Sequence, residues 1–437
     1  MSILPYASRP NLAANNPPSD ATGVVARVAG QVGLFTDLPI YPARDAFQRL
    51  RVSEPATLFD SKTLSDNLPL VYDDQPTSGA GTSSNFSSAR ASVTLGVSAA
   101  TAGTRVRQTF RRFNYQPGKS QLILLTGVLG AGAAGITKRC GLFDGSNGVF
   151  FQLSGTTLSV VIRSSVTGAP VDTVVPQASW NIDPMDGTGP SGLTLDTTKA
   201  QIFVADFQWL GVGTVRYGVS IGGVIYYVHA ANHSNSITSV YDSTPNLPVR
   251  WEISNSGAGG ASSVEVICAT VISEGGRQTG GYDRVADRGV TPLVTLNNNS
   301  LYPLIAIRLR AGSYLGAQVI PNLLSVLCTS TAAYRWALLL NPTVVGAALA
   351  FTPVAAASSA VESDAVATNA STVTGGTVLR SGYSQSTNES AVLADPQTDF
   401  ALGSSIAGTA DILVLAVQRL TGTTETFYGS LGWREAN

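Results

Sequence analysis

The stretch from Gln121 to Val228 constrains the fold most. It is a succession of short runs rich in Val, Ile, Phe and Tyr, each cut by Gly, Asn, Asp or Pro. Such runs read as β-strands, and the turn residues between them join neighbours into antiparallel sheets. Two pairs predict hairpins. GVFFQL and TLSVVIRS flank Ser154-Gly155-Thr156, and TVRYGVSI and VIYYVH flank Gly222-Gly223. Glycine at these tips supplies the positive φ of a tight turn. The expectation is a β-sandwich core of roughly a hundred residues.

The flanking sequence attaches to that core. Residues 1–40 contain Pro5, Pro10, Pro17, Pro18 and Pro39 among small polar residues. Proline lacks the donor that helices and ladders need, so this segment reads as an extended arm ordered against a neighbouring subunit. QRLRVSEP alternates until Pro55 and predicts a short strand, with Arg44, Arg49 and Arg51 facing solvent, a carboxylate or another subunit. RVRQTFRRFNY alternates too. Arg105, Arg107, Thr109 and Arg111 fall on one side, Val106, Gln108 and Phe110 on the other. Arginines beside Phe113 and Tyr115 fit a basic-aromatic nucleic-acid surface, and a polar outer face or subunit contact fits equally well. VEVICATVI predicts a buried strand, and GGRQTGGYDRVADRG a linker.

From Val290 a second strand-rich region begins. YRWALLLNP has helical periodicity, but Asn341-Pro342 ends it early. ILVLAVQRL and ETFYGSLGW bracket Thr421-Gly422-Thr423, which predicts another hairpin. The expected fold is therefore all-β. Two β-sandwich, jelly-roll-like domains (63–276 and 277–437) follow an extended N-terminal arm and attachment segment (1–62).

Composition narrows the function. Only 13% of the 437 residues are charged, against the roughly 25% usual for soluble domains. A chain that hides surface against copies of itself or other proteins needs less charge. The net charge of −1 gives no global electrostatic case for nucleic acid or an acidic membrane. No apolar run approaches the about 18 residues of a membrane helix. The first residues lack the basic start and apolar core of a signal peptide. Cys140, Cys268 and Cys328 are odd in number and far apart, so they read as buried thiols of a chain made in a reducing cytoplasm.

Few constellations carry chemistry. The two histidines occur as HAANH, His229 and His233, but Ala230 stands where a zinc protease has its glutamate. The surroundings read as strand into loop, so hydrogen-bonded loop histidines are expected. Asp183 and Asp186 in NIDPMDGTG, and Asp144 in LFDGSNG, fit either turns or a cation site, and the spacing departs from an EF-hand. GxxxxGK[ST] is absent. Trp180, Trp209, Tyr226 and Tyr227 fit either core packing or sugar stacking.

The segment YPARDAFQRLRVSEPATLFDSK resembles a family of virion structural proteins of tailed bacteriophages. The family's pattern, close to DAFGRLRVS-x-P-x-TLFDSK, is matched at Asp45, Ala46, Phe47, Arg49 to Ser53, Pro55 and Thr57 to Lys62, with Gln48 in place of Gly. GLFDGSNGVFFQL, TKAQIFVADFQWLGVGTVRYGV and NLPVRWEI look like the lectin-like sandwich that follows in such proteins. The resemblance spans residues 40–276. It implies a non-enzymatic role on a particle, without cofactor or metal. The chain would form a symmetric homo-oligomer, a trimer being one candidate form. It would contact other proteins of the head, neck or tail through Arg44, Asp45, Phe47, Arg49, Arg51, Phe59 and Asp60. It would reside in the virion and be made in the host cytoplasm. One alternative is a tail adhesin binding host glycans through Trp180 and Trp209. Another is a polysaccharide-degrading enzyme on a sandwich fold, for which no motif is present.

Overall fold

The computed structural model describes residues 53–276, 280–289, 292–295, 300–365, 371–385 and 400–436, and the backbone of Val24–Val28, Gln31–Phe35 and Glu389–Val392. The chain divides into two units, Met1–Glu54 and Pro55–Asn437. In the first, the expected extended arm contains an antiparallel ladder running from Val24↔Phe35 to Val28↔Gln31.

The second unit is all-β and holds two sandwiches. The larger begins at Ala56–Lys62. One of its sheets has seven strands in the order Val171–Pro176, Thr157–Ser164, Gly148–Gly155, Ala133–Phe143, Val249–Asn255, Gly103–Thr109 and Tyr72–Gly79. The other has eight, with seven in the order Val224–Asn232, Thr214–Ile221, Gln201–Phe207, Gln121–Val128, Ser262–Ser273, Ser92–Val97 and Thr82–Ser87. Its eighth, Ala56–Lys62, pairs with the far half of Ser262–Ser273. Residues 56–62, grouped with the arm on sequence grounds, are thus a strand of the sandwich.

Alternation puts one side of each strand between the sheets. Ile123, Leu125, Phe151, Phe203, Trp251 and Val264 are buried there. Gly127 has to be glycine, because a Cβ would come within 2.4 Å of the Glu265 carbonyl oxygen and 2.5 Å of the Trp251 ring. Both central hairpins form as expected. Ser154 pairs with Thr157 across Gly155, and Ile221 with Val224 across two glycines at φ 61° and 83°, the sign a two-residue type I′ turn requires.

The smaller sandwich packs Leu304, Leu415, Tyr334, Phe427 and Trp433 between two further sheets. YRWALLL forms the strand Tyr334–Leu340. The hairpin expected at Thr421-Gly422-Thr423 does not form. Ile412–Arg419 lies between Tyr302–Leu309 and Tyr334–Leu340 in one sheet, whereas Glu425–Ala436 lies in the other. Turn residues mark where the chain reverses, and they serve a crossing between sheets as well as a hairpin. The sandwiches are joined by hydrogen bonds: Ile406 N–H to Asp73 Oδ2 (2.8 Å), Ser404 N–H to the Phe110 carbonyl (2.9 Å) and Asn246 Nδ2 to the Gly316 carbonyl (3.0 Å).

The arginines of RVRQTFRRFNY do not form an exposed basic face. Arg107 is buried over the Tyr72 ring and donates to Asp74 Oδ2 and the Asn67 carbonyl. Arg105 binds Asp74, Arg112 binds Asp144, and Val106 and Gln108 on the opposite side are buried as well. Asp74 and Asp144 come from other strands and loops, so alternation within one segment could not reveal them.

Candidate functional site

The two sheets of the larger sandwich end, on one side, in the strands Val171–Pro176 and Val224–Asn232. There they part and leave a cleft of about 350 Å³. Val160, Ile162 and Val175 line it from the seven-stranded sheet, and Tyr217, His229 and Ala231 from the eight-stranded one. The loop 233–241 closes one end with Ile237, Val240 and Tyr241. Tyr217 spans the gap, its hydroxyl donating to the Val161 carbonyl at 2.7 Å. Burial holds that phenol well above its usual pKa, so it remains a neutral strut. The lining contains no charged side chain; Ser164, Thr173 and Ser239 add hydroxyls.

The histidines are the chemically distinctive groups. His229 lies opposite Tyr217 in the ladder and so points between the sheets. Its Nδ1 accepts the backbone N–H of Asn181 at 3.3 Å. That residue is itself clamped to the edge strand by Nδ2 to the Ala230 carbonyl (2.8 Å) and Ala230 N–H to Oδ1 (2.9 Å). An accepting Nδ1 leaves the proton of the neutral ring on Nε2. Burial also depresses the pKa of His229 and favours the neutral ring. His233 is set the other way. Its Nδ1 lies 2.7 Å from the Gly213 carbonyl, which only accepts, so Nδ1 carries a proton and, in the neutral ring, Nε2 is left as the acceptor. The ring stacks on Tyr241 at 4.3 Å and 14°. The carbonyl that orients it ends the loop 208–213, where Leu210 takes φ 38°, a strained value for leucine.

Behind the cleft, Asp242 is buried and accepts the Thr244 N–H at 3.2 Å. Burial, with a contribution from the Asp144 charge, pushes its carboxyl up to about 8, so it is neutral at pH 7.

The other residues singled out in the sequence are dispersed. Trp180 is only 5% exposed; its indole N–H donates to the Val175 carbonyl at 3.2 Å and its ring meets Phe151 edge-on, leaving no face for a sugar. Trp209 is half-buried, donates to the Asp242 carbonyl at 3.0 Å and packs edge-on against Tyr115. Phe59 packs on Phe113 (4.9 Å) and Tyr72 (6.2 Å), and Asp60 is exposed 3.5 Å from Lys62. Arg44, Asp45, Phe47, Arg49 and Arg51 lie outside the described residues. Asp183 accepts the N–H groups of Met185 and Ser191, each at 2.8 Å, and Asp186 that of Thr188 at 2.9 Å, so both carboxylates cap their own loop. Among the described residues no group of three or more His, Cys, Asp or Glu is placed to hold a metal ion. Cys140 and Cys328 are buried, Cys268 is partly so, and all three are free thiols on strands.

Sequence reasoning missed Tyr217, Tyr241 and Asn181 as partners of the histidines. The HAANH spacing drew attention as a helical pair, whereas here one histidine lies on a strand and the other in the loop after it.

No family model and no curated protein matches the chain. Among solved structures it is similar in shape to a protein of unknown function from Shewanella oneidensis MR-1 (11% identity, 53% of this chain and 91% of that one, TM-score 0.32). A Bacteroides ovatus GH16 protein from a mixed-linkage glucan locus is also similar (11% identity, 49% of this chain and 99% of that one, TM-score 0.33). So is the CBM2 module of the evolved Dit of Lactobacillus casei BL23 phage J-1 (6% identity, 52% of this chain and 100% of that one, TM-score 0.33). At this level the likeness is a loose one of β-sandwich shape and carries no argument about function.

Proposed function

We propose that the chain is a non-enzymatic structural protein of a tailed-phage virion. It assembles as a homo-oligomer on the head, neck or tail through its N-terminal segment and displays its two sandwiches. The observation that carries this reading is the placement of the phage-like motif. Its second half, ATLFDSK, is the strand Ala56–Lys62, paired to Ser262–Ser273 from Cys268↔Lys62 to Ser273↔Ala56. Leu58 is buried in the core and Phe59 packs on two aromatic rings. A pull on the preceding segment therefore passes into a long ladder of backbone hydrogen bonds. Just beyond the motif, Leu64 and Leu70 expose 62% and 61% of their surface, apolar area that a neighbouring protein would cover. The low overall charge supports the same reading.

The test compares the full chain with residues 55–437 in a phage lacking its own copy. The full chain is expected to sediment as an oligomer and to enter particles. The truncated protein is expected to keep its β circular dichroism and remain outside them. A compact monomer, together with equal incorporation of the truncated form, would overturn the proposal.

A further inference from the structure

We propose that the cleft between the edge strands Val171–Pro176 and Val224–Asn232 binds a single neutral sugar residue. This goes beyond the assembly role and does not depend on it.

The argument rests on how the two imidazoles are fixed. The Asn181 N–H takes Nδ1 of His229, and the Gly213 carbonyl takes Nδ1–H of His233. Each ring is thereby locked in one tautomer, and the two are opposite. His229 has its N–H left on Nε2, whereas His233 has a lone pair there. The described hydrogen bonds use only Nδ1 of either ring. With both rings neutral, the cleft offers one donor and one acceptor on walls that are mostly aliphatic.

That combination discriminates between ligand classes. A purely apolar ligand would strip water from both nitrogens and leave them unpaired, which costs binding. An anion meets no arginine or lysine in the lining. A cation meets no carboxylate there. A hydroxyl group both donates and accepts, so adjacent hydroxyls on one ring satisfy both histidines without any charge. A pyranose also presents a face of C–H groups, which suits Val160, Val175 and Ile237. The rim hydroxyls of Ser164, Thr173 and Ser239 match the remaining polar edge. The volume of about 350 Å³ is near the small end of ligand pockets, room for one ring rather than an oligosaccharide.

The experiment titrates the full chain with methyl glycosides of glucose, galactose, mannose, rhamnose and N-acetylglucosamine. Saturation-transfer NMR reads contact, and long-range ¹H–¹⁵N spectra read the two imidazoles. At least one glycoside is expected to bind and to shift the Nε2 resonances of both histidines. His233→Ala is expected to weaken it about tenfold or more. Ile237→Trp fills the mouth from a position already 36% exposed, so it abolishes binding while the thermal transition stays unchanged. A glycan array separates the two sources of such a ring: hits that share one terminal sugar identify a chain end, and binding of methyl glycosides alone identifies the free sugar. Absence of binding by every glycoside, or binding that survives Ile237→Trp, overturns the proposal. So does benzene binding as tightly as the best glycoside and indifferent to His233→Ala.

Discussion

Replacing Asp242 by asparagine tests the electrostatics behind the cleft. The carboxyl is 2% exposed, follows Tyr241 in the chain, and accepts the backbone N–H of Thr244. Among the described residues no arginine or lysine pairs with it, and its charged neighbour is Asp144, of like sign. Burial first and Asp144 second raise its pKa from 3.8 to about 8. The folded protein therefore keeps a proton that the unfolded chain releases near pH 4. Between those values the folded state binds more protons, so stability falls as pH rises, by up to about 1.4 kcal/mol per pH unit. From pH 4 to pH 7 that amounts to a ceiling of about 4 kcal/mol. The amide introduced by Asp242→Asn would keep the acceptor for the Thr244 N–H and remove the ionisation. The variant and the parent should then match within about 1 kcal/mol near pH 4 and diverge as pH rises, the variant being the more stable. In calorimetry the transition of the larger sandwich should separate by up to about 8–16 °C at neutral pH, at about 2–4 °C per kcal/mol for a unit of this size. Parallel curves for the two proteins through pH 5–8 would refute the reasoning. So would a parent that becomes more stable across that window.

Three further outcomes follow from buried groups. Lys138 is buried and donates to the carbonyls of Leu129 and Ala131, and burial lowers its pKa to about 8. The unfolded chain binds the extra proton between about 8 and 10.5, so stability should rise with pH across that window, and chemical denaturation of Lys138→Met should lose the rise. Leu58→Ala, in the motif strand, should cost about 2–5 kcal/mol in urea unfolding if that strand belongs to the core; a loss under about 0.5 kcal/mol would place it outside. Gly127→Ala drives a methyl group into the Glu265 carbonyl and the Trp251 ring, and should cost about 1–3 kcal/mol or more while quenching or shifting tryptophan emission.

These sites also show where sequence reasoning reaches its limit. The Gly155 and Gly222-Gly223 hairpins were legible because the turn and both strands lie within about twenty residues, and positive φ is a local demand. The same signal failed at Thr421-Gly422-Thr423, because which sheet the next strand joins depends on the hydrophobic partners of Glu425–Ala436, a hundred residues upstream at Gln318–Cys328. Arg105 and Arg107 were correctly read as falling on one side of a strand, but burial depends on a counter-charge, and Asp74 is thirty-one residues from Arg105. Trp180 and Trp209 were legible as aromatics suited either to core packing or to sugar stacking. What uses up their N–H groups, the carbonyls of Val175 and Asp242, appears only in three dimensions.

The cleft lies furthest beyond reach, for a physical reason. It exists because two sheets of unlike strand order run out on the same side, and neither edge strand carries a mark of that coincidence. The HAANH spacing was the one visible trace, and helical geometry was the wrong frame for it. On a strand that runs into a loop, two histidines four residues apart need not converge on one ion. Here backbone groups from elsewhere, Asn181 and Gly213, hold the two rings in opposite tautomers. A pair of imidazoles that would coordinate a metal if both presented lone pairs thus becomes a donor and an acceptor. The chemistry of the site follows less from which residues are present than from which backbone atoms reach them first.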